Sequence, residues 1–81
     1  MDVYLIEINN CESYEDYYYW IDKVFTTYKA ASMELIERDY KVYPERDFSS
    51  GEWDVRFKWQ ESDEYMARCN GAKIIEKVLY E

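Results

Sequence analysis

The 81 residues (10.0 kDa) set 10 Lys and Arg against 18 Asp and Glu, a net charge of −8 with no histidine. A chain this short makes one domain, residues 1–81, that buries roughly 60–65 % of its unfolded surface, so its core is thin. The charge argues against nucleic acid or an anionic membrane as direct ligands, and the missing histidine removes most zinc sites and His-dependent nucleophiles.

Residues 3–8 (VYLIEI) are apolar on both parities, which predicts a central strand covered on two sides. Nothing basic precedes them and no apolar run reaches 18 residues, so neither a signal peptide nor a membrane span is expected. Residues 9–16 are polar and rich in turn formers, a loop. Residues 17–25 are dense in aromatic and β-branched side chains, and predict a second strand pairing back on the first. Thr26 is the expected N-cap of a helix running to about Tyr40, with Ala31, Met33, Leu35, Ile36 and Tyr40 on its apolar stripe. Glu34 and Arg38, four apart, are placed to pair on the wet face. Pro44 then opens a connection to Gly51, tacked down by Phe48.

Residues 52–60 hold the clearest alternation. Trp53, Val55, Phe57 and Trp59 point one way, and Asp54, Arg56, Lys58 and Gln60 the other. Residues 61–64 form a charged turn, and 65–69 read equally as a short strand or a loop. Asn70-Gly71 is a two-residue turn signal, followed by an Ile/Val-rich strand from Ala72 to Tyr80. The expected fold is α+β: one antiparallel sheet, in the order β-β-α-β-(β)-β, with a single helix on one face. Cys11 and Cys69 form no CxxC and are expected to be reduced in a cytoplasmic protein.

The segment Ser13-Tyr14-Glu15-Asp16-Tyr17, followed by Trp20-Ile21-Asp22-Lys23-Val24-Phe25-Thr26-Thr27 and Ala31, resembles a pattern shared by many small proteins of phages and mobile elements. Those proteins open with a strand, an SDY-like turn, a second strand ending VFST and a helix with an early alanine. Here Lys29 stands where they often carry an acidic capping partner. The resemblance covers roughly residues 3–36 and implies a phage-type accessory protein, in one form an anti-CRISPR inhibitor.

Charge is distributed unevenly. Residues 1–22 contain Asp2, Glu7, Glu12, Glu15, Asp16 and Asp22 and no base, three quarters of the net charge. The same stretch carries Tyr14, Tyr17, Tyr18, Tyr19 and Trp20. Only alternate members of a strand face a core, so some of these rings must be exposed, and exposed Tyr and Trp beside carboxylates is the composition of a protein-binding hot spot. Carboxylates two residues apart on a strand lie about 6.6–7 Å apart, comparable to successive phosphates, and would compete for a basic groove. Glu52, Asp54, Glu61, Asp63 and Glu64 extend such a surface if they lie nearby, although Arg56 and Lys58 interrupt that strand.

The function expected is therefore an acidic, phage- or mobile-element-encoded inhibitor of a host defence effector that handles nucleic acid, a CRISPR-type nuclease being one candidate. Glu12, Glu15, Asp16 and Asp22 would supply charge, and Tyr14, Tyr18 and Trp20 anchors. The alternative is an interaction module without mimicry. A homodimer through residues 17–25 or 72–80 is compatible with either. No catalysis, metal or cofactor is expected: Glu15 and Asp16 lack a cleft to raise a pKa, and Ser49-Ser50-Gly51 lacks the lysine and glycine spacing of a phosphate loop.

Overall fold

A computed structural model describes residues 1–12, 14–46, 49–64 and 67–80, with Tyr14 described by its backbone alone. Its strands are β1 (Asp2–Asn9), β2 (Tyr19–Phe25), β3 (Lys41–Arg46), β4 (Trp53–Gln60) and β5 (Cys69–Val78), and its helix is α1 (Tyr28–Glu37). The strands form one sheet in the order β2-β1-β5-β4-β3, antiparallel throughout. The expected α+β class holds, with one helix on one face.

β1 lies inside the sheet, between β2 and β5, but only its α1 side is buried, so the expected cover on two sides does not hold. Ile6 and Ile8 are buried beneath α1 with Ala31, Leu35, Tyr40, Phe57 and Ala72, and Tyr4, Trp20, Phe25, Trp59 and Ile74 pack around them. Its partners in register are Ile74 for Ile6 and Ala72 for Ile8 on β5, so the Ile/Ala pattern of β5 follows the same face. β2 carries one residue more than β1 at Asp22, since Ile6 pairs with Lys23 and Glu7 with Ile21. This bulge turns both Asp22 and Lys23 toward the helix.

α1 begins at Thr27 rather than Thr26: the Thr27 hydroxyl accepts from the Ala30 N–H at 3.1 Å, while its own backbone is extended. It ends before Tyr40 because Asp39 takes the left-handed conformation (φ 66°) that an aspartate tolerates. The Tyr40 N–H then donates to the Leu35 carbonyl at 3.0 Å, which folds the Tyr40 ring back into the core. Glu34 and Arg38 do not pair with each other. Glu34 accepts from Lys23 at 2.7 Å and Arg38 donates to Asp22 at 2.6 Å, so both side chains tie the helix to β2.

The segment expected to be a connection from Pro44 is instead part of β3, whose residues are all exposed. Proline lacks the N–H of a ladder, and β3 is an edge strand with a free side, where that lack costs little. Phe48, expected to tack this stretch down, lies outside the described residues. Asn70-Gly71 is not a turn but the start of β5, opposite Trp59 and Lys58. The strand that the sequence left optional at 65–69 is not there among the described residues; the additional strand is β3. Finally, β5 is paired by β1 from Gly71 to Val78 but by β4 only from Cys69 to Ala72, so the side of Lys73–Val78 that faces away from β1 has no ladder partner among the described residues. β2 remains an edge.

Candidate functional site

The loop from Asn10 to Tyr18 is organised by two asparagines. The Asn10 amide oxygen accepts from the N–H groups of Glu12 (3.2 Å) and Tyr18 (3.1 Å), and its nitrogen donates to the Asp16 carbonyl (2.8 Å). The Asn9 amide oxygen accepts from the Cys11 N–H at 2.9 Å, while Cys11 sits at φ 60°. These bonds satisfy the turning backbone internally and leave Glu12, Glu15 and Asp16 exposed. Tyr14–Asp16 is a 3-10 turn, so these acids do not lie on a strand and do not have its repeat spacing.

Cys11 and Cys69 form a disulfide, with Cα atoms 5.8 Å apart. This corrects the expectation of two reduced thiols. The bond has a topological consequence. β1 and β4 run in the same direction, so the loop after β1 and the loop after β4 lie at one end of the sheet, and the disulfide joins them. Glu61, Asp63 and Glu64 therefore share that end with Glu12, Glu15 and Asp16, and among the described residues none of the six has an ion-pair partner. Between the loops runs an open groove of about 700 Å³ lined by Asn10, Glu12, Trp59 and Arg68 among others. Glu52 and Asp54 belong to the opposite end of β4, and Asp54 is bound to Arg56.

The run of rings divides by strand parity. Tyr17 and Tyr19 lie on the open face with centroids 5.9 Å apart, and Tyr18 and Trp20 on the helix side at 5.7 Å. Tyr18 is 64 % exposed, whereas Trp20 is half-buried against the core and serves the fold as much as the surface. Asp22, expected to offer free charge, is held by Arg38. The side chain of Tyr14 lies outside the described residues. Of the seven residues singled out from the sequence, Glu12, Glu15, Asp16 and Tyr18 are thus the exposed ones.

Sequence reasoning missed a second feature. The sheet face opposite α1 is uncovered, and Lys41, Arg56, Lys58, Lys73 and Lys77 fall on it by register, half of the chain's ten bases. Among the described strand residues only Glu7, Glu45 and Asp54 share it as acids. Lys73 is 3.8 Å from Glu7, and Arg56 is bound by Glu45 and Asp54. Tyr17 and Tyr43 face a hollow here of about 420 Å³. Partial burial holds both phenols above their ordinary pKa; Glu7 and Tyr19 add to this for Tyr17 and Glu45 for Tyr43, while Arg56 pulls both down. The alternation of β4 had shown the polar side of this face; its neighbours depend on strand order.

Comparison with protein-family models, curated proteins and solved structures found no match.

Proposed function

We propose that the protein is a non-enzymatic binding domain whose acidic loop end docks in the basic groove of a protein that handles nucleic acid, and thereby blocks it. In the form suggested by the resemblance to phage accessory proteins, the target is a host defence effector of the CRISPR-nuclease kind. One observation carries this reading: six carboxylates without ion-pair partners among the described residues, Glu12, Glu15, Asp16, Glu61, Asp63 and Glu64, gathered at the disulfide-linked end beside the exposed ring of Tyr18. Carboxylates gathered at one end of a small domain give that end a negative potential, which a basic groove complements on binding. Tyr18 adds a rigid aromatic contact at small entropic cost.

The triple variant Glu12→Lys, Glu15→Lys, Asp16→Lys is expected to keep the fold, because all three side chains are exposed and the loop is held by Asn9 and Asn10. It is expected to lose capture of the target from a bacterial lysate, and wild-type association is expected to slow steeply with added salt. Unchanged capture by the variant would refute docking through this end.

A second reading, an interaction module without mimicry, is favoured by a separate observation. Val42, Trp53 and Val55 on the helix side of β3 and β4 are exposed, Trp53 at 67 %, and form an apolar area beyond the reach of α1. Association through that area would change little with salt.

A further inference from the structure

We infer that the open sheet face holds a binding site for a nucleotide, a phosphate group joined to a flat aromatic base. The site is the hollow of about 420 Å³ whose walls include Tyr17 and Tyr43 and whose floor includes Arg56, Lys58 and Lys73. A smaller hollow of about 330 Å³ shares Tyr43 and Lys58 with it and continues over Lys41. Volumes of about 300–1,000 Å³ are those of ordinary small-molecule sites.

Two observations bear on the ligand chemistry and a third on the shape of the floor. Lys41 and Lys58 are directly opposed in the β3–β4 register, and among the described residues neither has a carboxylate within ion-pair distance. Like charges directly opposite across two strands destabilise a sheet, and an anion placed between them reverses the sign of that term. In a chain of net charge −8 the pair is not explained by solubility. In the larger hollow Glu7 is engaged with Lys73 and Glu45 with Arg56, which leaves Lys58 as its unspent charge, while Asp39 and Asp63 line the smaller one beside Lys41.

The second observation is the pair of phenols. Tyr17 arrives from the loop before β2 and Tyr43 from β3, elements at opposite edges of the sheet, yet both rings line one hollow and both feel Arg56. Two partly buried rings flanking a cationic floor suit a planar base, which stacks on an aromatic face for a gain that does not depend on its identity. The third is Gly71, which lies between Asn9 and Lys58 in the floor. A Cβ at Gly71 would come within 2.8 Å of the Asn9 amide, so the glycine lets the Asn9 side chain lie against the floor of the hollow.

The site does not use Glu12, Glu15 or Asp16, although Asp63 of the acidic end borders the smaller hollow. Calorimetric titration of adenosine monophosphate into the oxidised wild-type protein at low salt is expected to give one saturable site. Amide shifts in NMR are expected to centre on Lys58, Gly71 and Lys73. Lys58→Glu is expected to weaken binding by about tenfold or more, the loss of one charge-assisted contact, and Lys58→Met, which keeps the stem, by nearly as much. Tyr43→Ala is expected to weaken the nucleotide but not inorganic phosphate. The Glu12, Glu15, Asp16 triple variant is expected to bind the nucleotide as the wild type does, so failure at one site is distinguishable from failure at the other. Absence of saturable binding at millimolar nucleotide overturns the inference. So does binding that Lys58→Met leaves unchanged, or inorganic phosphate binding as tightly as the nucleotide.

Discussion

The inner strands β2, β1 and β5 and the outer hairpin of β3 and β4 belong to one sheet but are stabilised differently. An α-helix with its side chains is about 10–12 Å across, whereas five strands about 4.8 Å apart span about 19 Å. α1 lies over the inner strands, where Ile6, Ile8, Leu35 and Ala72 are buried and where Lys23–Glu34 and Asp22–Arg38 pin it in place. Only Phe57 of the outer hairpin joins the buried core, while Val42, Trp53 and Val55 stay exposed on the same side. A single helix on a five-stranded sheet thus leaves two surfaces uncovered, an apolar one on the helix side and a charged, tyrosine-lined one on the open side. Both are products of the same shortage of cover.

The comparison can be broken most severely at the disulfide. The 58-residue separation between Cys11 and Cys69 encloses β2, α1, β3 and β4, so the bond constrains both regions in the unfolded chain. On the chain-entropy account its loss should cost about 4 kcal/mol. Reduction, or Cys11→Ala with Cys69→Ala, should therefore lower the denaturant midpoint of the entire domain in one transition; a midpoint that does not move would mean the loop end contributes nothing.

Within the inner region, Leu35→Ala should cost about 3 kcal/mol in chemical denaturation, because Leu35 is fully buried and neighbouring strands cannot collapse onto the void. In the outer hairpin, Trp53→Ser should cost no more than about 0.5 kcal/mol despite removing a far larger side chain, since that ring is mostly in water. Comparable losses at the two positions would show that the hairpin is covered in solution, as it would be in a dimer.

Much of the fold was legible where a local pattern carries it. β4 showed its two faces through strict alternation, and β1 its place inside the sheet, though its apolar residues on both parities overstated its cover, since only Ile6 and Ile8 are buried. Thr27 differs by one residue from the expected cap because either threonine has the hydroxyl, and only the extended backbone chooses. Pro44 misled for a physical reason: the rule that proline breaks ladders applies to central strands, and edge status is not a property of the segment itself. Of the acidic site, the excess in residues 1–22 was visible, but Asp22 and Trp20 were drawn toward the helix and core by partners far along the chain.

By itself the sequence determined the class of fold, the chain's acidity, the apolar first strand and the surplus of rings in its opening third. These follow from composition and from periods of two or three to four residues, which the backbone imposes wherever the segment ends up. Only the tertiary structure decided that Cys11 meets Cys69, that residues 61–64 join 12–16, and that Lys41 opposes Lys58 while Tyr17 and Tyr43 line one hollow with Lys58. Those juxtapositions depend on strand order and register, which are set by how one small helix and five strands share a thin core, and no segment of the chain carries that arrangement alone.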